Sequence, residues 1–265
     1  MREEKSIEIQ HVLAFNCVDF KYANNGSYVV KGLNFSVNDG EFVSIIGPSG
    51  SGKTTLFRLI TGLENPSSGT IQINGHYTEK RLGSVGYMPQ QDLLMPWRTV
   101  YENVVVPLEI KGINPRSQKE EIYDMLNEFG LKGFEQEYPN KLSGGMKQRV
   151  SFLRTILTGA KVLLLDEPFS ALDAITRLAM QEWLVDKWEN LKKTILFITH
   201  DVDEALLLSD RIFIITDKPI THFKEIIVPL GRPRKIRDLA QPEIITIKEL
   251  MLKELRMDVD TYENN

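Results

Sequence analysis

The sequence is poor in cysteine and in long apolar runs, and it has no excess of positive charge. A single cysteine, Cys17, stands among 265 residues, so no intramolecular disulfide can form, which is typical of a reducing compartment. Since Cys17 lies in an apolar stretch, we interpret it as a small core residue. The longest apolar runs, such as Val162–Leu165, are far short of the roughly 20 residues of a membrane-spanning helix. We therefore expect a soluble chain that could reach a membrane only through a partner.

The charge balance also excludes some functions. The formal net charge is -4 and the isoelectric point is near 5.7, whereas a free-standing nucleic-acid-binding protein is more often basic, so no nucleic-acid partner is predicted. Residues 1–10 mix charged and apolar side chains and lack the apolar centre of a leader peptide, so none is expected. The length suits one large domain or a domain with an inserted lobe.

The order of segments predicts an α/β fold. Short apolar segments bounded by turn residues predict strands, and longer segments with helical spacing predict helices. Between about residues 91 and 160 the spacing is helical, which predicts a lobe inserted between two strands of the main sheet. The predicted strands are Val12–Phe20, Leu33–Val37, Glu41–Ile46, Thr70–Ile73, Val85–Met88, Val162–Leu165, Thr194–Thr199 and Arg211–Thr216. The predicted helices outside the lobe are Thr55–Thr61, Ile175–Leu191, Val202–Leu208 (after Asp201 as N-cap) and Thr246–Leu255.

Residues 47–54 fit the phosphate-loop pattern G-x-x-x-x-G-K-[ST] between a buried strand and a helix. The glycines let backbone N–H groups face the phosphates, and the helix N-terminus adds positive potential. We expect Lys53 to reach the β- and γ-phosphates of ATP and the Thr54 hydroxyl to bind Mg²⁺. A Gly/Ser-rich turn without a ligand is the alternative. The predicted ATP-binding residues here are Gly47, Pro48, Ser49, Gly50, Ser51, Gly52, Lys53, Thr54 and Thr55.

Two adjacent acids, Asp166 and Glu167, follow the apolar strand Val162–Leu165. Ligands of open parallel sheets bind at this end of the strands. We expect Asp166 to hold Mg²⁺ through water and Glu167 to orient or deprotonate the attacking water. A solvated acidic turn would explain the pair taken alone, but the phosphate loop upstream favours the functional interpretation.

The segment Leu142–Arg149, with the sequence Leu-Ser-Gly-Gly-Met-Lys-Gln-Arg, resembles the signature motif of the ABC ATPase family. We expect Ser143 to open a helix through Arg154, so that its hydroxyl and the N–H groups of Gly144 and Gly145 form a second anion site. In that family this helix faces the phosphate loop of another subunit, and two ATP molecules lie between the subunits. The resemblance therefore implies a dimer with a second ATPase subunit. Both halves of a site occur in this chain, which permits a homodimer.

The resemblance extends over residues 12–216 and assigns further roles. It implies that Tyr22 stacks on the adenine and that Gln90 senses Mg²⁺ and the attacking water. It also implies that Asp173, in a segment similar to the D-loop, binds nucleotide and that His200 contacts the γ-phosphate. The implied catalytic set is therefore Glu167, His200 and Gln90, with Thr54, Gln90 and Asp166 as metal ligands. The implied fold is an α/β P-loop NTPase core of ABC ATPase type with an antiparallel β subdomain and an inserted helical lobe.

Two residues depart from the family pattern. Met146 stands where the signature usually has Gln, but the Ser and Gly donors remain, so we expect a modest effect. Pro89 precedes Gln90 where an aromatic residue is common, which stiffens the loop.

A narrower resemblance concerns residues 93–100, Leu-Leu-Met-Pro-Trp-Arg-Thr-Val, together with Pro233-Arg234. These are similar to importer ATPases of the nitrate, sulfonate and taurine group, which includes importers of pyrimidine precursors. The similarity implies a peripheral subunit at the cytoplasmic face of the cell membrane, bound to a permease and indirectly to a solute-binding protein. Trp97 is interpreted as part of the groove for a permease helix, with lobe core as the alternative.

The resemblance places the ABC ATPase domain at residues 1–230 and a C-terminal tail with a helix at 231–265. The ATPase of an export or lipoprotein-release system remains an alternative function. A non-transport ABC protein acting on nucleic acid or the ribosome is disfavoured by the single ATPase half and the single cysteine.

Overall fold

The computed structural model describes residues 11–23 and 26–262, so the segment on which the absence of a leader was predicted lies outside this part. The strands are β1 His11–Phe20, β2 Val30–Asn38, β3 Phe42–Ile46, β4 Ser68–Ile73, β5 His76–Tyr77, β6 Gly86–Met88, β7 Val162–Asp166, β8 Thr194–Ile198, β9 Arg211–Ile214 and β10 Lys224–Ile227. The α-helices are α1 Lys53–Thr61, α2 Val100–Val104, α3 Val106–Ile110, α4 Lys119–Glu128, α5 Gly144–Ile156, α6 Ala174–Leu191, α7 Val202–Leu208 and α8 Pro242–Tyr262. Short 3₁₀ turns cover Pro115–Gln118, Pro139–Lys141 and Ile236–Ala240.

The strands form two sheets. One is antiparallel with four strands in the order β2-β1-β4-β5, and the other has six strands in the order β10-β9-β3-β8-β7-β6. In the six-stranded sheet β9, β3, β8, β7 and β6 are parallel, and β10 is an antiparallel edge strand. Helices separate the parallel strands in the chain, as parallel connections require. The predicted α/β class with an antiparallel subdomain is confirmed.

Both faces of the parallel sheet are buried, which explains its uninterrupted apolar strands. Leu163 and Leu165 of β7 pack on one face with the lobe and α6. Val162 and Leu164 pack on the opposite face with α1 and the antiparallel sheet. Because every position of β7 is buried, its end is fixed in place for the polar residues that follow.

Helices α2 to α5 lie between β6 and β7 in the chain, at the position of the predicted inserted lobe. The C-terminal helix α8 packs against α7 and the sheet edge, where Ile244 and Met251 are buried with Ala205 and Ile226. A boundary between residues 230 and 231 remains a prediction. Within the described ranges, no helix is long and apolar enough to cross a membrane.

The interpretation of Cys17 as a core residue is wrong, because its side chain is exposed. The pairing of β1 with β2 shifts register between Phe15 and Val18, and Cys17 adopts a left-handed backbone with φ 48° at this bulge. The extra residue of a bulge breaks the alternation of a strand. Leu13 and Phe15 are buried, so simple alternation would bury residue 17 as well, but the bulge turns the Cys17 side chain outward.

Candidate nucleotide-binding site

The phosphate loop joins the end of β3 to the start of α1. Gly52 caps α1 with φ 106°, a conformation that disfavours any residue with a Cβ. A Cβ there would lie 2.9 Å from Val29 Cγ1 and 3.1 Å from Ile220 Cδ1. The glycine is thus required both for the turn and for the close approach of its neighbours.

Lys53 is buried at the centre of this loop, with 8% of its surface exposed. Its ammonium donates hydrogen bonds of 2.8 Å to the carbonyl oxygens of Gly47 and Pro48. Burial lowers the pKa of Lys53, and the nearby carboxylates of Glu167 and Asp166 oppose that shift. A desolvated cation at the N-terminus of a helix is suited to bind a phosphate group.

A cleft of about 340 Å³ opens beside the loop. Tyr22 forms one wall, where its hydroxyl lies 3.1 Å from Thr55 Oγ1 and its ring packs edge-to-face on Phe20 at 4.8 Å between centroids. These contacts hold the ring at the cleft, where a base could stack on it. The lining residues are Tyr22, Ser27, Tyr28, Val29, Ser49, Gly50, Gly52, Lys53, Thr54, Thr55, Glu167 and Lys218.

Asp166 ends β7 close to Thr54. Its side chain is buried, which raises its pKa, while hydrogen bonds from Tyr87 and Thr54 act in the opposite direction. The Tyr87 hydroxyl donates to Asp166 Oδ2 at 3.2 Å. A hydroxyl and a carboxylate at this point form the hard oxygen set that Mg²⁺ prefers. Tyr87 was not foreseen from the sequence.

Glu167 contacts the other two predicted catalytic residues, Gln90 and His200. Its φ of 46° is left-handed, a conformation that costs a residue with a Cβ about 1 kcal/mol, and its N–H donates to the Ile198 carbonyl at 2.9 Å. Oε2 accepts from Gln90 Nε2 at 3.3 Å and lies 3.3 Å from His200 Nδ1. This arrangement could place a water molecule between a base and two polar side chains. Ser170 Oγ, 3.4 Å from Gln90 Nε2, is a neighbour that sequence reasoning missed.

The predicted second anion site lies elsewhere. Ser143 is the N-cap of α5, and its hydroxyl accepts from Met146 N at 3.3 Å. Cβ atoms on Gly144 and Gly145 would each lie 3.0 Å from a side chain, Leu172 and Thr176 respectively. The lining of the cleft includes none of the three signature residues.

Asp173 is the N-cap of α6 and accepts from the N–H groups of Ile175 and Thr176 at 3.1 and 3.0 Å. Hydrogen bonds from Thr176, side chain first and then backbone, lower the pKa of Asp173. Asp173 is likewise absent from the cleft lining. Its position beside the signature helix therefore groups it with Ser143, Gly144 and Gly145.

The loop after Gln90 carries large exposed side chains. Leu93 is 59% and Trp97 is 73% exposed, so the alternative of Trp97 as lobe core is wrong. Arg154 of α5 fixes the loop by donating to the carbonyls of Leu93 and Asp92. The part of the loop that carries Leu93 is thus tied to α5.

These features define an ATPase of the P-loop class whose sheet carries an inserted helical lobe. A sequence model described as ABC transporter matches residues 30–170. Together with the relatives described next, this match shows that the chain belongs to the ABC transporter family.

Two relatives and one solved structure illustrate the similarity. The formylaminopyrimidine import ATP-binding protein ThiZ of Halalkalibacterium halodurans is 48% identical, over 89% of this chain and 92% of its own length. The aliphatic sulfonates import ATP-binding protein SsuB of Bacillus cereus is 44% identical, over 78% of this chain and 81% of its own length. A dimeric post-hydrolysis structure of the ATP-binding cassette MJ0796 with ADP and Pi is 30% identical with a TM-score of 0.69, over 83% of this chain and 100% of its own.

Family membership fixes the general activity. The chain is an ATP-binding subunit of the ABC transporter type, and it is an ATPase whose hydrolysis of ATP is coupled to transport.

Proposed function

We propose that this chain powers the import of a small solute by hydrolysing ATP, with Glu167 as the general base. The observation that carries the hydrolytic part is the convergence of Gln90 and His200 on one carboxylate oxygen of Glu167, each at 3.3 Å. That carboxylate also lines the cleft that holds Lys53. A base beside a phosphate-binding cation is the arrangement that in-line attack by water on a γ-phosphate requires.

In this proposal the residues of the cleft have separate roles in binding and hydrolysing ATP. Lys53 and the loop from Gly47 to Thr55 bind the phosphates, and Tyr22 stacks on the adenine. Glu167 accepts the proton of the attacking water, while Gln90 and His200 orient that water and the γ-phosphate. The oxygens of Thr54 and Asp166 fit Mg²⁺, with Gln90 as a further ligand. The ion supplies neutralisation of the phosphate charge when it is bound.

A second subunit completes each site in this proposal. Ser143, Gly144, Gly145 and Asp173 lie outside the cleft of their own chain, so they would act on the nucleotide of a partner, most simply a second copy. ATP then closes the dimer because it bonds both subunits, and hydrolysis opens it. This switch between two states is the source of mechanical work.

The transport partner is a membrane permease at the cytoplasmic face. The exposed Leu93 and Trp97 beside Gln90 offer it an apolar docking surface, and a solute-binding protein is an indirect partner. The names of the relatives support import of a sulfonate or a pyrimidine precursor, and nitrate and taurine belong to the same proposed range. The ATPase domain of this proposal is residues 1–230, with residues 231–265 as an appended tail.

The hydrolytic proposal is tested with Glu167→Gln. This variant should bind ATP but lose nearly all turnover, because the amide cannot accept the proton, and it should accumulate as an ATP-dependent dimer in light scattering. Glu120→Gln, at an exposed position in the first turn of α4, is the matched control and should turn over normally. A Glu167→Gln protein that stays monomeric at saturating ATP would contradict the two-subunit site.

The import proposal is tested by affinity purification of the tagged chain from gently solubilised membranes of its own host. A permease together with a solute-binding protein supports import. A permease without a binding protein favours an export or release system. Ribosomes or nucleic acid without a permease would overturn the transport role.

A further inference from the structure

Glu204 is a buried carboxylate directly behind the loop that carries His200. It lies in the first turn of α7 and only 5% of its surface is exposed. Oε2 accepts a hydrogen bond of 2.5 Å from Thr199 Oγ1, and Oε1 accepts one of 2.9 Å from Gln181 Nε2 on α6. Each carboxylate oxygen therefore has a defined partner on a different segment.

The fold does not need Glu204 to start the helix. Asp201 already caps α7, accepting from the N–H groups of Asp203 and Glu204 at 2.8 and 3.2 Å. Burying a carboxylate is costly unless it is well hydrogen-bonded. An apolar side chain would fill the same space without the cost of burying a charge. The hydrogen bonds of Glu204 therefore need an explanation beyond packing.

Those contacts surround His200 in the chain. The Thr199 oxygen that donates to Glu204 also accepts from the N–H of Asp201 at 3.0 Å. The Thr199 hydroxyl thus joins the residues on both sides of His200 to Glu204. The His200 side chain is itself 61% exposed. With so little packing around the ring, the direction of the imidazole is set mainly by the backbone that bears it.

We propose that Glu204 and Thr199 are positioning residues, which hold the backbone of His200 so that its ring meets Glu167. Gln181 extends this connection to α6, the helix capped by Asp173. The inference rests on the role of His200 in the proposed function and adds the residues through which that role is maintained.

The first test compares Thr199→Val with Thr199→Ser. Valine has the shape of threonine but leaves Glu204 and the Asp201 N–H without the hydroxyl, whereas serine keeps it. We expect Thr199→Val to lower kcat about tenfold, which corresponds to about 1.4 kcal/mol in the barrier, with KM for ATP changed less than twofold. Thr199→Ser should stay within twofold of the parent in both constants.

A spectroscopic readout separates positioning from general damage. The chain has 4 histidines, so ¹⁵N-histidine labelling gives few ring resonances, and His200→Ala assigns the one of interest. Thr199→Val should move or broaden the His200 resonance and leave the other three in place, and Thr199→Ser should leave all four unchanged. If Thr199→Val does not fold, Gln181→Met removes one donor to Glu204 and should move the same resonance.

The outcomes are distinguishable. An unmoved His200 resonance in a folded Thr199→Val or Gln181→Met protein overturns the positioning role, and so does unchanged kcat in Thr199→Val when His200→Ala lowers it. Full turnover by His200→Ala would instead contradict the catalytic role of His200 in the proposed function. The resonance would then still report whether Thr199 fixes the ring.

Discussion

The ammonium of Lys53 and the carbonyl oxygen of Gly47 are joined by a 2.8 Å hydrogen bond, so the phosphate loop closes around its own lysine. The Pro48 carbonyl accepts a second bond of the same length. These carbonyls compensate in part for the burial that lowers the pKa of Lys53. The loop is therefore organised for an anion before the anion arrives, which reduces the cost of ordering on binding.

Lys53→Ala should separate binding from folding. The variant loses two hydrogen bonds but also the cost of a buried cation, so Tm without nucleotide should change by only a few degrees. The affinity for ATP should fall at least about tenfold, because the remaining N–H groups carry no full charge. Isothermal titration and thermal melts with and without ATP measure both quantities.

The control for this prediction is Lys132→Ala, at an exposed position in the lobe. It should keep both the affinity and the increase of Tm by ATP. Unchanged ATP affinity in Lys53→Ala would show that the loop does not bind the phosphates through this side chain.

Gly52 and Gly50 form a matched pair for testing the loop geometry. Both have positive φ, 106° and 74°, but a Cβ on Gly52 would meet Val29 and Ile220, whereas a Cβ on Gly50 would enter open space. Gly52→Ala should cost about 3 kcal/mol from strain and overpacking, and Gly50→Ala about 1 kcal/mol from the left-handed conformation alone. Urea denaturation gives both values, and equal costs would contradict the close packing around Gly52.

Local patterns predicted the central sheet and the strand ends at which the candidate site residues lie, because both depend on residues that are close in the sequence. An apolar strand buried on both faces needs consecutive apolar residues, and Val162–Leu165 has them, with the two acids directly after it. Asp201 was predicted as the cap of Val202–Leu208, and the structure confirms both. The phosphate loop between strand and helix was likewise predicted from its glycines and Lys53.

Features that depend on distant contacts were missed. Tyr87 meets Asp166 across 79 residues of chain, because β6 pairs with β7. Arg81 is 2% exposed and donates to the backbone carbonyls of Leu59 and Glu64, a burial that no periodicity marks. The edge strand Lys224–Ile227 was not predicted because it begins with two charged residues. Cys17 was misassigned because the sequence does not show where a bulge interrupts the alternation of a strand.

The substitution Trp97→Ala tests the proposed docking surface for the permease. Since it is 73% exposed, Trp97→Ala removes little packing and should leave Tm unchanged, yet it should reduce co-purification of the permease severalfold, as loss of an aromatic anchor does. Leu82→Ala, at a residue 69% exposed outside the lobe, is the matched control and should co-purify normally. Equal recovery of permease by both variants would contradict the proposed docking surface.

Asp19 makes a pH-dependent contribution to the antiparallel sheet. Its two carboxylate oxygens accept from the Gly32 N–H at 2.6 Å and from the Ser68 hydroxyl at 2.8 Å, joining β1 to the start of β2 and to β4. These hydrogen bonds, that from Gly32 first, hold the pKa of Asp19 below its usual value of 3.8. A carboxyl group with a lowered folded-state pKa stabilises the protein fully above its unfolded-state pKa, and the contribution disappears as the pH falls through the folded-state value.

Asp19→Asn should therefore be less stable than the parent at pH 7, and the difference should be smaller at pH 3, which lies below the ordinary Asp pKa of about 3.9. Because the group is largely open to solvent, the difference at pH 7 should be only about 0.5–1 kcal/mol. Urea unfolding at both pH values measures it, with Asp124→Asn at an exposed position of α4 as a control that should show no such difference. A gap between parent and Asp19→Asn that is the same at pH 7 and pH 3 would mean that the amide disturbs the sheet by its shape, and that the charge of Asp19 contributes nothing.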